Sequence, residues 1–268
     1  MKPLHQVLVL ATAASVAVFT SFNSETPTKS VEYSPNETAV SVSKPHLPTT
    51  TKSLAVIELF TSEGCSSCPA ADEVLSSFMD NPNVVALGFH VTYWNRLGWK
   101  DPFSQPIFDK RQYEYGDKFK ANGVYTPQAV INGASELVGS KKSQVEKLVK
   151  TAIETPSEVS IELEKIIKPD GEIQVKYKLT GDVKNAVLNL AFVENDISTK
   201  VLRGENGGKT LHHDNIVRDF QTVEVKNTEG AFSFFTLKDW QVKNAAVVAY
   251  VQDRETWHVR GAAKTTLR

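Results

Sequence analysis

The chain is poor in cysteine, has no excess of either charge and contains no long apolar run. Only two of its 268 residues are cysteines, which excludes a small secreted domain stabilised mainly by disulfides. Its 30 basic and 31 acidic residues give a net charge of -1, which argues against a protein that binds nucleic acid or an anionic membrane. No apolar run approaches the roughly 20 residues of a membrane-spanning helix, so we expect no integral membrane segment.

The sequence also lacks the glycine-rich fingerprints that bind nucleotides, nicotinamide or flavin, so we expect no cofactor. Apolar residues nevertheless make up 41% of the chain, enough for a substantial core. The length suits one large domain or two smaller ones. Any chemistry must therefore come from the protein's own side chains, together with a partner or substrate.

The first 52 residues predict an export signal followed by a tether. Lys2 precedes the apolar segment Val7–Phe19, whose length is typical of a signal peptide, and we assign residues 1–20 to that signal. A short buried helix is the alternative. No cysteine follows this segment, so no lipoprotein anchor is expected. Residues 21–52 are rich in Ser, Thr and Pro and predict a disordered tether. We therefore expect a periplasmic or extracellular protein in an oxidising compartment.

Both cysteines lie in one motif, Cys65-Ser66-Ser67-Cys68. The apolar segment 54–60 before it predicts a buried strand, and residues 69–78 after it predict a helix with Pro69 in its first turn. A CxxC pair at a strand-to-helix junction is typical of a redox-active dithiol. The alternative is an inert structural disulfide or a pair of unreactive thiols.

The rest of the chain divides into two parts by pattern. Residues 53–155 alternate between strand-like and helix-like segments in the order β-α-β-α-β-β-α, which predicts an α/β domain. Residues 156–268 contain short segments of period two separated by turn signals, which predict a mostly antiparallel β-sandwich-like domain.

Residues 53–155 resemble the thioredoxin fold in this element order, in the CxxC junction and in the segment Val124–Gly133. In thioredoxin-like proteins a cis-proline opens the third strand beside the cysteine pair. The resemblance implies that Pro127 is this residue and that Thr126 precedes the cis bond.

The whole chain resembles a family of secreted bacterial proteins classed as a domain of unknown function, which join a thioredoxin-like domain to a β-rich half. Four segments carry this second resemblance: Glu58–Asp72, His90–Phe103, Tyr125–Gln128 and Arg203–Asn215.

A thiol–disulfide reaction requires a thiolate. We expect Cys65 just before the first turn of the helix, where backbone N–H groups and the helix dipole lower a cysteine pKa. Cys65 is therefore the predicted nucleophile, and Cys68, expected to be more buried, is the resolving thiol. Glu58 resembles the buried acid of thioredoxins that assists proton transfer at the second cysteine; a solvated or backbone-bonded carboxylate is its alternative. Pro127 in cis would offer backbone edges to an extended substrate.

Three other motifs permit alternative interpretations. His90 with the two cysteines would make three ligands for zinc or copper, but a strand-end histidine bonded to backbone is the simpler interpretation. His212 and His213 are adjacent on an extended segment and should point to opposite faces, which disfavours a shared metal ion. The aromatic loop 93–99 suits packing between the two halves better than a substrate-binding lip. Residues 203–215 lack the spacing of a phosphate-binding loop and predict a hairpin between the domains.

The sequence therefore favours an exported thiol–disulfide oxidoreductase. Cys65 would form a mixed disulfide with a protein, peptide or small-thiol substrate, and Cys68 would resolve it. A redox partner protein would supply or accept the electrons. A non-catalytic binding module with a structural disulfide is the alternative from another class, and binding of copper or zinc through the thiols is the third.

Overall fold

The computed structural model of the chain describes residues 53–168 and 171–267. The predicted signal peptide and tether lie outside these residues. None of the described helices is long and apolar enough to cross a membrane.

The first half contains four strands and three α-helices in the predicted order β-α-β-α-β-β-α. These are β1 Ala55–Thr61, α1 Pro69–Ser76, β2 Val84–His90, α2 Pro106–Phe119, β3 Gln128–Ile131, β4 Ser135–Val138 and α3 Lys142–Glu154.

The described residues of the second half form nine strands, and the period-two patterns predicted a strand-rich half. They are β5 Val159–Ile167, β6 Glu172–Gly181, β7 Ala186–Glu194, β8 Ile197–Lys200, β9 Thr210–His213, β10 Ile216–Glu224, β11 Glu229–Phe235, β12 Ala245–Asp253 and β13 Val259–Thr266.

One large sheet joins the two halves. Its strand order is β13-β12-β7-β10-β2-β1-β3-β4, with parallel pairing of β1 with β2 and of β2 with β10. The other neighbours are antiparallel, so the sheet is mixed and the α/β class is confirmed. Four strands of the second half thus extend the sheet of the first half. The sequence predicted a separate β-sandwich and not a sheet shared by both halves. A period-two pattern indicates a strand but does not specify its partner.

Two smaller sheets complete the second half. Strands β5, β6 and β11 form one, and their apolar side chains pack against those of β7 and β12 in a shared core. Strands β8 and β9 form a separate hairpin. The predicted boundary between residues 155 and 156 falls between α3 and β5 and stays a prediction.

The alternation of side chains along β1 assigns the helices to opposite faces of the large sheet. Ala55, Ile57 and Leu59 contribute to the core that contains α1 and α3. Val56 and Phe60 contribute to the other core, which contains α2 and residues from the second half. A β1 side chain of even number therefore faces away from α1.

Candidate functional site

Cys65 and Cys68 are joined in a disulfide, with their Cα atoms 5.4 Å apart. Helix α1 begins at Pro69 and Cys68 is its N-cap residue, so Cys65 lies a turn earlier in the chain than expected. Both cysteines are 0% exposed. This corrects the expectation that Cys68 would be the more buried of the two.

A segment of the second half is bonded directly to the cysteine motif. Residues 203–209, here called the cap, connect β8 to β9. The buried Asn206 side chain donates hydrogen bonds to the carbonyl oxygens of Glu63 and Cys65, each at 2.9 Å. The Ser66 N–H donates to Glu205 Oε2 at 2.9 Å. The predicted hairpin therefore exists, and its loop closes on the motif.

Two glycines shape the cap. Gly204 and Gly208 have φ angles of +76° and +87°, which side-chain-bearing residues rarely adopt. Gly204 also lies close to Trp99, since a Cβ atom there would be 3.4 Å from the Trp99 Cβ. The glycines thus allow the tight course that brings Glu205 and Asn206 to the cysteine motif.

Five buried ionisable side chains form an acid–imidazole cluster around the motif: Glu63, Asp72, His90, Asp101 and His213. His90 Nδ1 lies 2.8 Å from Asp101 Oδ2, and His213 Nε2 lies 3.2 Å from Glu63 Oε1. His213 Nδ1 is 3.6 Å from Asp72 Oδ2. The two imidazole rings are 5.0 Å apart, so the pairs form one cluster.

The cluster is connected to the cysteines through the backbone. Glu63 lies two residues before Cys65, and Asp72 lies one helical turn after Cys68, on the same side of α1. The Glu63 N–H also donates to Asp101 Oδ2 at 2.8 Å. Buried ionisable groups beside a reactive pair are a common feature of functional sites.

Burial and charge pairing shift the pKa values of Asp72, His90 and Asp101 in different directions. Burial raises the pKa of Asp72, although His213 and His90 oppose this effect. Burial disfavours the charged form of His90, but the Asp101 carboxylate outweighs it and raises the His90 pKa. His90 in turn outweighs burial at Asp101 and lowers that pKa. Asp72 therefore retains a proton more readily than an ordinary aspartate, while His90 and Asp101 form an ion pair.

Glu58 does not occupy the predicted position beside the cysteines. It is an even-numbered residue of β1 and faces α2, where its carboxylate accepts hydrogen bonds from Arg111 Nη2 at 2.9 Å and Tyr115 Oη at 2.6 Å. This position does not support the proton-transfer role expected for Glu58, which stays a prediction. Asp72 is one of the buried acids of the cluster around the cysteines, and its pKa is raised.

The Thr126–Pro127 peptide bond is cis, as the thioredoxin resemblance implied. Trp94 Nε1 donates a hydrogen bond to Thr126 Oγ1 at 2.7 Å. Trp94 also packs beside Gly64, where an added Cβ would lie 3.1 Å from the Trp94 Cβ. The indole thus connects the cis-proline turn with the turn that precedes Cys65.

The aromatic loop 93–99 is part of this site. Besides Trp94, Trp99 donates from Nε1 to Glu63 Oε2 at 2.7 Å and packs against the cap at Gly204. The loop therefore packs between segments of both halves, as the favoured interpretation predicted. It also fixes the Glu63 carboxylate.

The histidines considered as metal ligands, His90, His212 and His213, lie in different surroundings. His213 is buried in the cluster, whereas the His212 side chain is 52% exposed, so adjacent histidines point apart as predicted. His90 is bonded to Asp101, and the cysteines are bonded to each other. Among the described residues, no three His, Cys, Asp or Glu side chains are arranged to hold a metal ion.

The sequence interpretation missed most of the cluster. Glu63 and Asp72 flank the CxxC motif, and this proximity was an available signal. His213 was not predictable as their partner, because it is 150 residues from Glu63 in the chain. Asn206 is similarly 141 residues from Cys65.

Together these features define a mixed α/β protein with a capped CxxC disulfide at a strand-to-helix junction. The chain belongs to the family described as protein of unknown function (DUF1223), which matches residues 56–252. No curated protein matches the chain.

Two solved structures are similar to the chain. Protein AGR_C_4864 from Agrobacterium tumefaciens, a structural-genomics target, is 28% identical with a TM-score of 0.63, over 83% of this chain and 97% of that one. A domain of the outer membrane lipoprotein Omp28 from Porphyromonas gingivalis is 14% identical, over 41% of this chain and 88% of that one, with a TM-score of only 0.26.

Proposed function

We propose that the chain is an exported thiol–disulfide oxidoreductase whose first half has a thioredoxin-like fold. The observation that carries this proposal is the Cys65–Cys68 disulfide at the start of α1, with a cis-Pro127 turn linked to it through Trp94. The element order of residues 53–155 supports the fold assignment. The acid–imidazole cluster supports the chemistry, because thiol–disulfide exchange needs groups that release and accept protons.

The proposed reaction exchanges one disulfide for another. A partner thiolate attacks Cys65 Sγ, the Cys65–Cys68 bond breaks, and Cys68 leaves as a thiolate that takes a proton from Asp72. A second thiolate of the partner then attacks the mixed disulfide and releases Cys65, so the partner is oxidised as the protein is reduced. With a substrate disulfide the same steps run in reverse, and Cys68 resolves the mixed disulfide.

The cap must open before this exchange. Cys65 and Cys68 are both 0% exposed. Asn206 donates a hydrogen bond to the Cys65 carbonyl oxygen, and Glu205 accepts one from the next backbone N–H. We therefore propose that partner binding displaces the cap. The partner would then pair its backbone beside Pro127.

Trapping tests the proposal most directly. Cys68→Ala leaves Cys65 without its resolving thiol, so incubation with periplasmic or secreted protein should give a mixed disulfide that dithiothreitol releases. Cys65→Ser/Cys68→Ala is the matched control and should give none. Absence of any adduct with the single variant would contradict the oxidoreductase proposal.

The complete burial of both cysteines favours a second candidate, a binding module with a structural disulfide. The reduction potential separates the two. An oxidoreductase should have a value in the range of about -270 to -120 mV, whereas structural disulfides typically lie below about -300 mV. Measurement against glutathione and dithiothreitol buffers decides between them.

A further inference from the structure

A pocket of about 480 Å³ lies away from the disulfide, between α2 and the strands β7, β10 and β12. It lies on the α2 face of the large sheet, opposite to α1. Its wall includes the aromatic rings of Phe220 and Trp257, and its floor includes the polar side chains of Arg111, Asn189 and Gln252. Neither cysteine and no member of the acid–imidazole cluster lines it. A pocket of this size with a few convergent polar groups is typical of a small-molecule site.

Arg111 is the central polar group of the pocket, and its side chain is only 7% exposed. The guanidinium group lies 4.8 Å from the Phe220 ring centre and 5.8 Å from that of Trp257. Its Nε and Nη2 atoms are fixed by hydrogen bonds, chiefly to Glu58. The cation is therefore held in one orientation at the pocket floor.

The third guanidinium nitrogen, Nη1, has no acceptor in the part of the chain that the structure describes. All hydrogen bonds from Arg111 to other described residues use Nε and Nη2, so Nη1 has two N–H groups without an acceptor. Three described side-chain polar atoms are both buried and without a hydrogen-bond partner, and Nη1 is not one of them. Nη1 is therefore accessible to solvent, and Arg111 lines the pocket. These donors are thus open to a ligand.

The side-chain amides of Asn189 and Gln252 bond mainly to neighbouring groups of the protein. Asn189 Oδ1 accepts from Thr222, and Gln252 Oε1 accepts from Asn189 Nδ2 at 3.0 Å. Gln252 Nε2 donates to Tyr115 and to the Trp257 carbonyl. Gln252 Oε1 also accepts from Arg111 Nη2, so both of its lone pairs are used, whereas Asn189 Oδ1 can accept one more hydrogen bond. Because Arg111 Nη1 adds two free N–H groups, the floor offers mainly donors, and its complement is an acceptor.

We infer that this pocket binds a small molecule that places a carboxylate or carbonyl oxygen against Arg111 Nη1 and a flat apolar body against the lining rings of Phe220 and Trp257. Neighbouring charges favour neither acceptor, because each charged lining residue has a partner of opposite charge: Arg111 with Glu58, Asp253 with Arg260, Lys110 with Glu114 and Arg254 with Glu224. The inference is independent of the redox proposal, because it involves a different face of the sheet.

Three probes of similar shape test this inference by NMR titration of the purified full chain. Naphthalene-2-carboxylate and naphthalene-2-carboxamide supply an acceptor, and naphthalen-2-ylmethylamine is a cation that supplies donors only. We expect at least one acceptor probe to shift the Trp257 indole signal and to bind about tenfold or more tightly than the amine. The tighter of the two acceptor probes identifies the class. Failure of both to bind, or equal binding of the amine, would overturn the inference.

Two variants of neighbouring β10 residues provide the control. Thr222 lines the pocket, whereas Val223 points to the other face and is 37% exposed. Thr222→Trp should fill the pocket and weaken the acceptor probe about tenfold or more, and Val223→Trp should leave its affinity unchanged. Arg111→Lys removes the planar guanidinium group with its N–H donors but keeps a positive charge beside Glu58, and it should also weaken binding. If Arg111→Lys does not fold, the Thr222 and Val223 pair still decides, and unchanged affinity in Thr222→Trp contradicts the inference.

Discussion

The buried acids Glu58 and Asp72 show how one residue's position decides its chemistry. Both carboxylates are nearly inaccessible to solvent, but they lie on opposite faces of the large sheet. Glu58 meets a guanidinium at hydrogen-bond distance, whereas Asp72 meets the Thr61 hydroxyl and an imidazole 3.6 Å away. Glu58 is therefore held as an ion pair, whereas burial raises the pKa of Asp72.

We expect the stability of the protein to reflect the raised pKa of Asp72. The folded protein binds this proton more tightly than the unfolded chain, so the carboxyl group makes folding less favourable as pH rises from about 4 through the raised pKa. Asp72→Asn removes this dependence, and its stability relative to wild type should increase with pH across that window. A pKa raised by one unit corresponds to about 1.4 kcal/mol. Urea denaturation at several pH values measures the difference, with the exposed Glu73→Gln as a control; a difference independent of pH contradicts the assignment.

Glu58→Gln should destabilise the fold without changing the thiol chemistry. The substitution leaves Arg111 buried with its charge uncompensated, which typically costs about 3–5 kcal/mol. Urea denaturation should show this loss, and the rate of exchange with dithiothreitol should remain that of wild type under conditions where the variant is folded. A slower exchange with little loss of stability would instead restore the proton-transfer role first assigned to Glu58.

At the scale of elements, the β8–β9 hairpin is the feature that distinguishes this site from an open CxxC motif. Its loop supplies both donors from Asn206 and the acceptor Glu205, all bonded close to Cys65. The strands and helices of the first half were predictable because each depends on a short sequence pattern, whereas the cis-proline turn was implied only by the resemblance to thioredoxin-like proteins. The cap was not, because its contacts join residues far apart in the chain and no local pattern encodes them.

Loosening the cap should expose the disulfide. Asn206→Ala removes two hydrogen bonds worth about 1 kcal/mol each, so reduction of the disulfide by dithiothreitol should accelerate by about tenfold or more if cap opening precedes attack. Ser198→Ala, on β8 of the same hairpin, is the control and should react like wild type. Thiol release over time measures both rates. Equal rates in Asn206→Ala and wild type would show that the cap does not limit access.

At the scale of the whole molecule, the two halves share a sheet and a core. Strand β2 pairs with β1 on one side and meets β10 on the other, and the core beneath α2 includes Phe220 and Tyr250 from the second half. The turn between β3 and β4 also packs closely on the second half, since a Cβ atom at Gly133 would overlap the Trp257 carbonyl oxygen. Periodicity predicts that strands exist. It did not predict that strands of the two halves share one sheet, because strand pairing depends on contacts between residues far apart in the chain.

This joining predicts that residues 53–155 do not form a stable domain alone. Without the second half, β2 loses its neighbour β10, and the buried pair of Glu58 and Arg111 loses Tyr250, which accepts a hydrogen bond from Arg111 at 2.9 Å. The fragment 53–155 should therefore give poorly dispersed NMR spectra, while 53–268 should unfold in one cooperative transition seen alike by fluorescence and circular dichroism. A well-dispersed, cooperatively folding fragment would instead establish the two-domain division at residues 155 and 156. It would also place the cap on a separable domain, in which case adding residues 156–268 in trans should restore slow reduction of the disulfide.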